Sequence, residues 1–394
     1  MTEKVFSEVP GQVGPNPTVP GRRSFASLWL TTESLAQVAA RYRGIGPGFD
    51  FLRLGLSMLI FYAHTRYALT IFAAPVGDTG ADIAALAPGL TESRSMVETI
   101  SQLKSRVYVL YVPLFFALSG FLVTGSAFRT RRVWPFLRLR ALRIFPALTV
   151  ETILCAVVLG LTFTTLTPGA YLTDPGFYRY MGNILGFVSF HLPGVFETNP
   201  VRGMVNVNLW TLPAEFYCYL LLSGLIAVGV LLQTRILMIL FGGLTIAFVV
   251  ASVGYGLGLT NSVYATPVVV YYFLFGVVFF IGRDFVPMNP LIFLACIAVT
   301  LSLVMNPVYT LIIPVFLTYV MVYIGHMPWL RLPFLKGRDY SYGIYLYGFP
   351  ITQAVVAVNP GIQRPVLLFT AFAITLLFSA LSWHWIEKPI LTRR

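Results

Sequence analysis

Hydrophobic and polar positions in this 394-residue chain do not alternate; they separate into long apolar runs divided by short polar stretches. A helix needs roughly 20 residues to cross a bilayer. Ten runs reach or approach that length: 51–73, 107–127, 144–166, 208–232, 235–258, 263–282, 290–305, 308–326, 340–358 and 363–386. The run 290–305 is the shortest, held between Pro290 and Pro307. A further apolar stretch, 181–195, is too short to span and carries Pro193, so it reads as a re-entrant or interfacial piece of a long loop. The pattern predicts an all-α integral membrane protein with about ten transmembrane helices. Residues 1–48 stand apart from it, being polar and carrying Pro10, Pro15, Pro17 and Pro20. They read as a cytoplasmic N-terminal tail, partly disordered or interfacial. The apolar stretch Phe25 to Leu30, flanked by Arg22, Arg23, Arg41 and Arg43, is its candidate interfacial helix. Residues 49–390 form the ten-helix membrane domain.

Composition agrees with a lipid environment. The chain is 57% hydrophobic and 11% charged, whereas a soluble domain carries roughly 25% charged residues. Its 27 Lys and Arg outnumber its 15 Asp and Glu. With the N-terminus cytoplasmic and every run crossing once, 20 of those 27 bases fall on the cytoplasmic side and 7 outside. Such a bias is what the positive-inside rule produces, and it predicts both termini cytoplasmic, the loops 74–106 and 167–207 outside, and a multi-pass protein of an inner or plasma membrane. Topology therefore accounts for the basic balance, and no aromatic-interleaved basic module points to nucleic acid. Cys155, Cys218 and Cys296 fall singly inside apolar runs, without the spacing of a metal site.

Ionisable groups inside a span are costly and mark functional positions. The first run contains Arg53 and His64, 11 residues apart. At ~100° and ~1.5 Å per residue they share one helix face about 16 Å apart, Arg53 near the cytoplasmic mouth and His64 within the membrane. A snorkelling arginine and a histidine bonded to a neighbouring helix would satisfy the same spacing. Between the second and third runs lie Arg129, Arg131, Arg132, Arg138, Arg140 and Arg143. Positive-inside anchoring explains several, but their density also suits a clamp for an anionic ligand such as the phosphates of coenzyme A, with Arg138, Arg140 and Arg143 as candidates. In the fourth run Glu215 follows Trp210 and Pro213, and counting from the outer end puts it roughly 10 Å deep, close to the depth counted for His64. A carboxylate there would orient the imidazole of a general base. Ser119 and Gly120 suit helix packing as well as a site. His191 falls in the external loop; His326 and His384, near cytoplasmic helix ends, read as surface residues.

The Arg53-x10-His64 spacing, PLFFALSGFLVTG, FLRLRALRIFP, NLWTLPAEFYCYL, SYGIYLYGFP and the terminal WHWIEKP, in this order over about 50–389, resemble the acyltransferase-3 family of integral membrane acyltransferases. The resemblance implies a ten-helix core that acylates carbohydrate hydroxyls, often on surface or exported glycans, from a cytoplasmic acyl-CoA such as acetyl-CoA, without a metal. It implies that His64 is the essential histidine with Arg53 its partner, that Arg140 and Arg143 are the cytoplasmic arginine pair, and that Glu215 is the acid of the tryptophan and glutamate segment. Two features depart from it. Many members have a histidine where this chain reads Tyr347, Gly348 and Phe349. Many also carry an extracytoplasmic hydrolase-like domain without counterpart here, so the expected activity is one that does not depend on it. His64 would act as general base on the acceptor hydroxyl or be transiently acylated. Transfer to a small hydrophobic acceptor such as a macrolide or lipid, or proton-coupled transport, are the alternatives.

Overall fold

A computed structural model describes residues 33–42, 44–69, 103, 106–229, 233–251, 266–305, 311–333 and 337–392. A helix lies on each of the ten apolar runs: α1 (Phe49–Ala68), α2 (Tyr111–Thr130), α3 (Val133–Ile153), α4 (Thr211–Ala227), α5 (Thr234–Val249), α6 (Thr266–Ile281), α7 (Pro290–Leu303), α8 (Ile313–Gly325), α9 (Ser341–Val358) and α10 (Arg364–Ser382). With the turns that continue them, α2, α3, α4 and α10 lengthen to Arg106–Thr130, Val133–Phe163, Val207–Ala227 and Arg364–Thr392, each long and apolar enough to cross a bilayer. Helices α5 to α8 are as apolar but shorter. The chain is a helical membrane protein, and its β-structure among the described residues is a two-stranded pairing of Glu33–Ser34 with Pro287–Met288 and two isolated bridges.

Small residues set how closely the helices pack. A Cβ at Gly120 would lie 2.0 Å from the Phe273 carbonyl oxygen, and one at Gly276 would lie 2.1 Å from that of Ala117. Helices α2 and α6 therefore touch backbone to backbone, as lipid-embedded helices do where glycine removes the side chain. The start of α1 is fixed against the end of α8 in the same way, Gly48 donating its N–H to the Gly325 carbonyl over 2.9 Å. This contact sets the height of Arg53 one turn further on.

Helix α3 begins earlier than its apolar run. Arg131, at φ 50°, closes a two-residue turn out of α2, and the chain is helical again from Val133. The last three arginines of the basic segment therefore stand on a helix and not in a loop. Pro146 leaves one main-chain bond of α3 unmade, and the helix passes into a π-helical stretch, Leu154–Leu159.

Residues 164–206 fold into a small cap of two short helices, Pro168–Thr173 and Pro175–Met181, around the buried Tyr171, Tyr180, Val195 and Phe196. The stretch 181–195 belongs to it as a tight turn and an extended segment bridged to Thr164 and Met204, with Leu185 and Phe187 exposed at its edge. Of the N-terminal tail, Glu33 to Ala40 packs on the helical domain, with Leu35 fully buried. The Phe25 to Leu30 stretch lies outside the described residues.

Candidate active site

A cavity of about 130 Å³ opens where α1 and α9 begin, between α1, α2, α3, α4 and α9. Arg53, Arg140, Arg143, Glu215 and Asp339 supply its charged groups, and Ser119, Thr211, Tyr219, Tyr342 and Tyr345 line it with polar ones. Ser119 thus faces the cavity while Gly120, beside it, makes the helix contact.

Two of the arginines meet on one carboxylate. Asp339 Oδ2 forms an ion pair with Arg53 Nη1 at 3.1 Å and accepts a hydrogen bond from Arg143 Nη2 at 2.6 Å, while Oδ1 accepts from the Ser341 N–H at 3.1 Å and from its hydroxyl. Burial pushes this carboxyl up, but the two guanidinium groups and the Ser341 bonds outweigh burial and hold it well below the usual carboxylate range. Arg143 also pairs with Glu387 Oε2 at 3.0 Å, and Glu387 Oε1 accepts from Ser382 at 3.0 Å. Arg53 pairs with Asp50 one turn back. Sequence reasoning passed over Asp339, although it is the sole acid between Asp284 and Glu387.

Arg140 is held differently. It donates to Ser126 Oγ at 3.3 Å and lies over the rings of Phe136 and Tyr219, 5.8 and 5.9 Å from their centroids. Its Nε is buried without a hydrogen-bond partner. Arg138 is exposed and does not line the cavity.

Glu215 accepts from the Tyr219 hydroxyl, one turn along α4, and lies within electrostatic reach of Arg143 and Arg140. No hydrogen bond or charge contact joins it to His64 among the described residues. The turn that leads into α4 is tied instead to α9. Asn206 Nδ2 donates to the Leu346 carbonyl at 3.0 Å and Asn208 Nδ2 to that of Tyr345, both in the early turns of α9. Glu215 therefore sits with the arginines.

His64 lies one turn beyond Ile60, which lines the cavity, and on the same stripe of α1 as Ile60 and Arg53. Its Nδ1 is buried without a hydrogen-bond partner, and its ring meets Phe349 edge to face at 5.9 Å. Phe349 packs in turn on Val201 and Met204 of the cap and on Val207 at the start of the lengthened α4. A Cβ at Gly348 would fall 2.8 Å from the Phe61 ring, so aromatic side chains fill the space around the segment that in many relatives carries a histidine.

Other titratable groups fall elsewhere. Glu151, inside α3 and fully buried, accepts from Asn206 Nδ2 at 2.7 Å and from Cys155 Sγ at 3.0 Å. Its place within an apolar run was the signal for it, and sequence reasoning missed it. His326 is buried rather than superficial, between the rings of Phe49 and Phe121, with Nδ1 on the Val322 carbonyl at 2.8 Å. His191 bonds the Gly203 carbonyl in the cap, and His384 meets the Tyr340 hydroxyl.

The family profile of an acyltransferase domain matches residues 47–384, which takes in every residue that lines the cavity. An O-acetyl transferase of Shigella phage Sf6 is 29% identical over 293 residues, covering 72% of this chain and 84% of that protein. No solved structure matches. With the match running from before α1 to the last turn of α10, the chain belongs to the acyltransferase-3 family.

Proposed function

We propose that the chain is an O-acyltransferase that moves an acyl group, acetyl in the simplest case, from cytoplasmic acyl-CoA to a hydroxyl of a carbohydrate, with His64 at the point of transfer. The observation that carries this reading is the placement of His64: a half-buried imidazole whose Nδ1 is buried and unpartnered, one turn beyond a residue lining the cavity that holds three arginines. The distance between Arg53 and His64 along α1, about 16 Å, suits a donor whose charged part stays at the arginines while its flexible pantetheine arm runs through the apolar middle.

In the transfer, the acceptor oxygen bonds to the acyl carbon as the carbon–sulfur bond breaks. The hydroxyl proton passes to the imidazole and from there to the departing thiolate. In a two-step version the imidazole nitrogen takes the acyl group first and passes it to the hydroxyl. Glu215 acts through Tyr219, holding that ring beneath Arg140. The Shigella phage relative is described as an O-acetyl transferase, which favours a hydroxyl acceptor over transport.

The test is transfer itself. Membranes containing the chain, given acetyl-CoA labelled in the acetyl group, should place label on glycan in a base-labile ester. Label that appears only in free acetate, with every glycan acceptor supplied, would contradict a carbohydrate acceptor.

A further inference from the structure

The three arginines of the cavity are not equivalent. Arg53 and Arg143 converge on Asp339 and have second carboxylates in Asp50 and Glu387, so two guanidinium groups face three carboxyl groups. Arg140, one turn before Arg143 on α3, has no carboxylate within ion-pair distance among the described residues. It is positioned by one hydroxyl and two aromatic faces, and its Nε, like that of Arg53, is a buried donor without a hydrogen-bond partner, but Arg140 alone of the three has no carboxylate to neutralise it among the described residues. A buried donor beside an open cavity is normally satisfied by a ligand. A guanidinium already shared among carboxylates is a poor anion receptor.

Asp339 is also built not to move. Its two oxygens receive three hydrogen bonds, one from Arg143 and two from Ser341 at the first turn of α9, and Arg53 adds an ion pair. A phosphate seeking Arg53 or Arg143 would have to displace a carboxylate that has no solvent to retreat to, since its side chain is 13% exposed.

We infer that the arginines divide the work: Asp339 is a positioning residue that braces Arg53 and Arg143 across α1, α3 and α9, and Arg140 is the group that takes the donor's phosphate. This rests on acyl-CoA being the donor. The brace fixes the mouth of the cavity, and with it the register of the donor's thioester against His64.

The inference predicts opposite kinetic signatures for neighbouring residues. Full-length wild type, Arg140→Gln, Arg143→Gln, Asp339→Asn and Asp339→Glu are purified in detergent. Binding of free coenzyme A is measured by equilibrium dialysis, and turnover of acetyl-CoA by thiol release. Arg140→Gln should weaken coenzyme A about tenfold or more, the size of one lost charge-assisted contact, and raise donor KM in step, with thermal stability unchanged. Arg143→Gln and Asp339→Asn should leave coenzyme A binding within about threefold, less than half of such a contact, while lowering kcat. Asp339→Glu, which keeps the carboxylate, should recover part of kcat; a purely structural loss would not separate kcat from KM in this way.

If Arg143→Gln weakens coenzyme A as much as Arg140→Gln, the two arginines share the donor and the division is wrong. That comparison decides the matter even where Asp339→Asn does not fold. Wild-type protein that binds no coenzyme A would instead remove the donor reading, and this inference with it.

Discussion

Asp339 joins arginines from two different helices, and its charge is expected to matter over a wide pH range. Its carboxyl is held low in the folded chain, while in the unfolded chain it titrates near ~3.9. A carboxyl depressed by folding adds stability that is fully present above the unfolded value and lost as pH falls through the folded one. The thermal midpoint of wild type should therefore exceed that of Asp339→Asn by a constant margin from about pH 8 to pH 5, well above the unfolded value. The margin should shrink only in stronger acid. A margin that already fades between pH 7 and pH 5, far above the unfolded carboxylate value, would mean that a different group, such as a histidine, governs the brace. At this scale the sequence disclosed what periodicity governs. Arg53 and His64 lie on one helical stripe because 11 residues close nearly three turns, and the cavity lies along that stripe. It did not disclose who pairs with whom. Asp339 meets Arg143 across 196 positions of chain, and no local spacing encodes such a contact. Glu215 meets Tyr219 and not His64 for a related reason: counting residues from a span edge says nothing of which side chains face each other, and the turn leading into α4 is tied through Asn206 and Asn208 to the early turns of α9.

At the scale of the elements, a helix lies on each apolar run among the described residues, because apolar length is what a bilayer demands. Their ends were less visible. The third run seemed to begin at 144, yet α3 starts at Val133, because its first two turns are rich in arginine and fall below any apolar threshold while remaining good helix formers. Contacts between elements were legible only where glycine sits inside a span, and even then not which glycine matters. Gly120 and Gly55 look alike in sequence. A Cβ at Gly120 would collide with the Phe273 carbonyl, whereas one at Gly55 would meet nothing within 4 Å. Gly120→Ala should force α2 and α6 apart at a cost of ~1–3 kcal/mol or more, since backbone cannot yield as a side chain can. Gly55→Ala should be neutral or stabilising by up to ~1 kcal/mol, the helix propensity gained. Melting in detergent compares the two directly; equal midpoints would mean that α2 and α6 are not in backbone contact.

Taken whole, the molecule has two unlike ends. One carries the beginnings of α1 and α9, the Asp339 brace and the mouth of the cavity; the other carries the cap of residues 164–206. The cap is tied to the far half of α9, Gln353 bonding the Val201 and Met204 carbonyls and Asn199 bonding that of Gln353. If the basic end is cytoplasmic, an impermeant thiol reagent should label Thr198→Cys in intact cells and spare Arg338→Cys until the cells are opened. Both positions are exposed, and Cys155, Cys218 and Cys296 are buried and should stay silent. The reverse pattern would invert the protein and place the cavity mouth outside, away from any cytoplasmic thioester. The account as a whole depends on what His64 does. The most direct measurement is acyl transfer from acetyl-CoA to a glycan acceptor by purified wild type and His64→Ala, compared at equal thermal stability. Loss of a general base or acyl relay predicts a fall of ~100-fold or more, with coenzyme A binding intact, since His64 lies about 16 Å along α1 from Arg53, which lines the cavity beside Arg140 and Arg143. Loss of a hydrogen bond between membrane helices costs only ~0.6 kcal/mol on average. A His64→Ala protein that keeps more than about a tenth of the wild-type rate, far above the general-base expectation, would contradict transfer at His64.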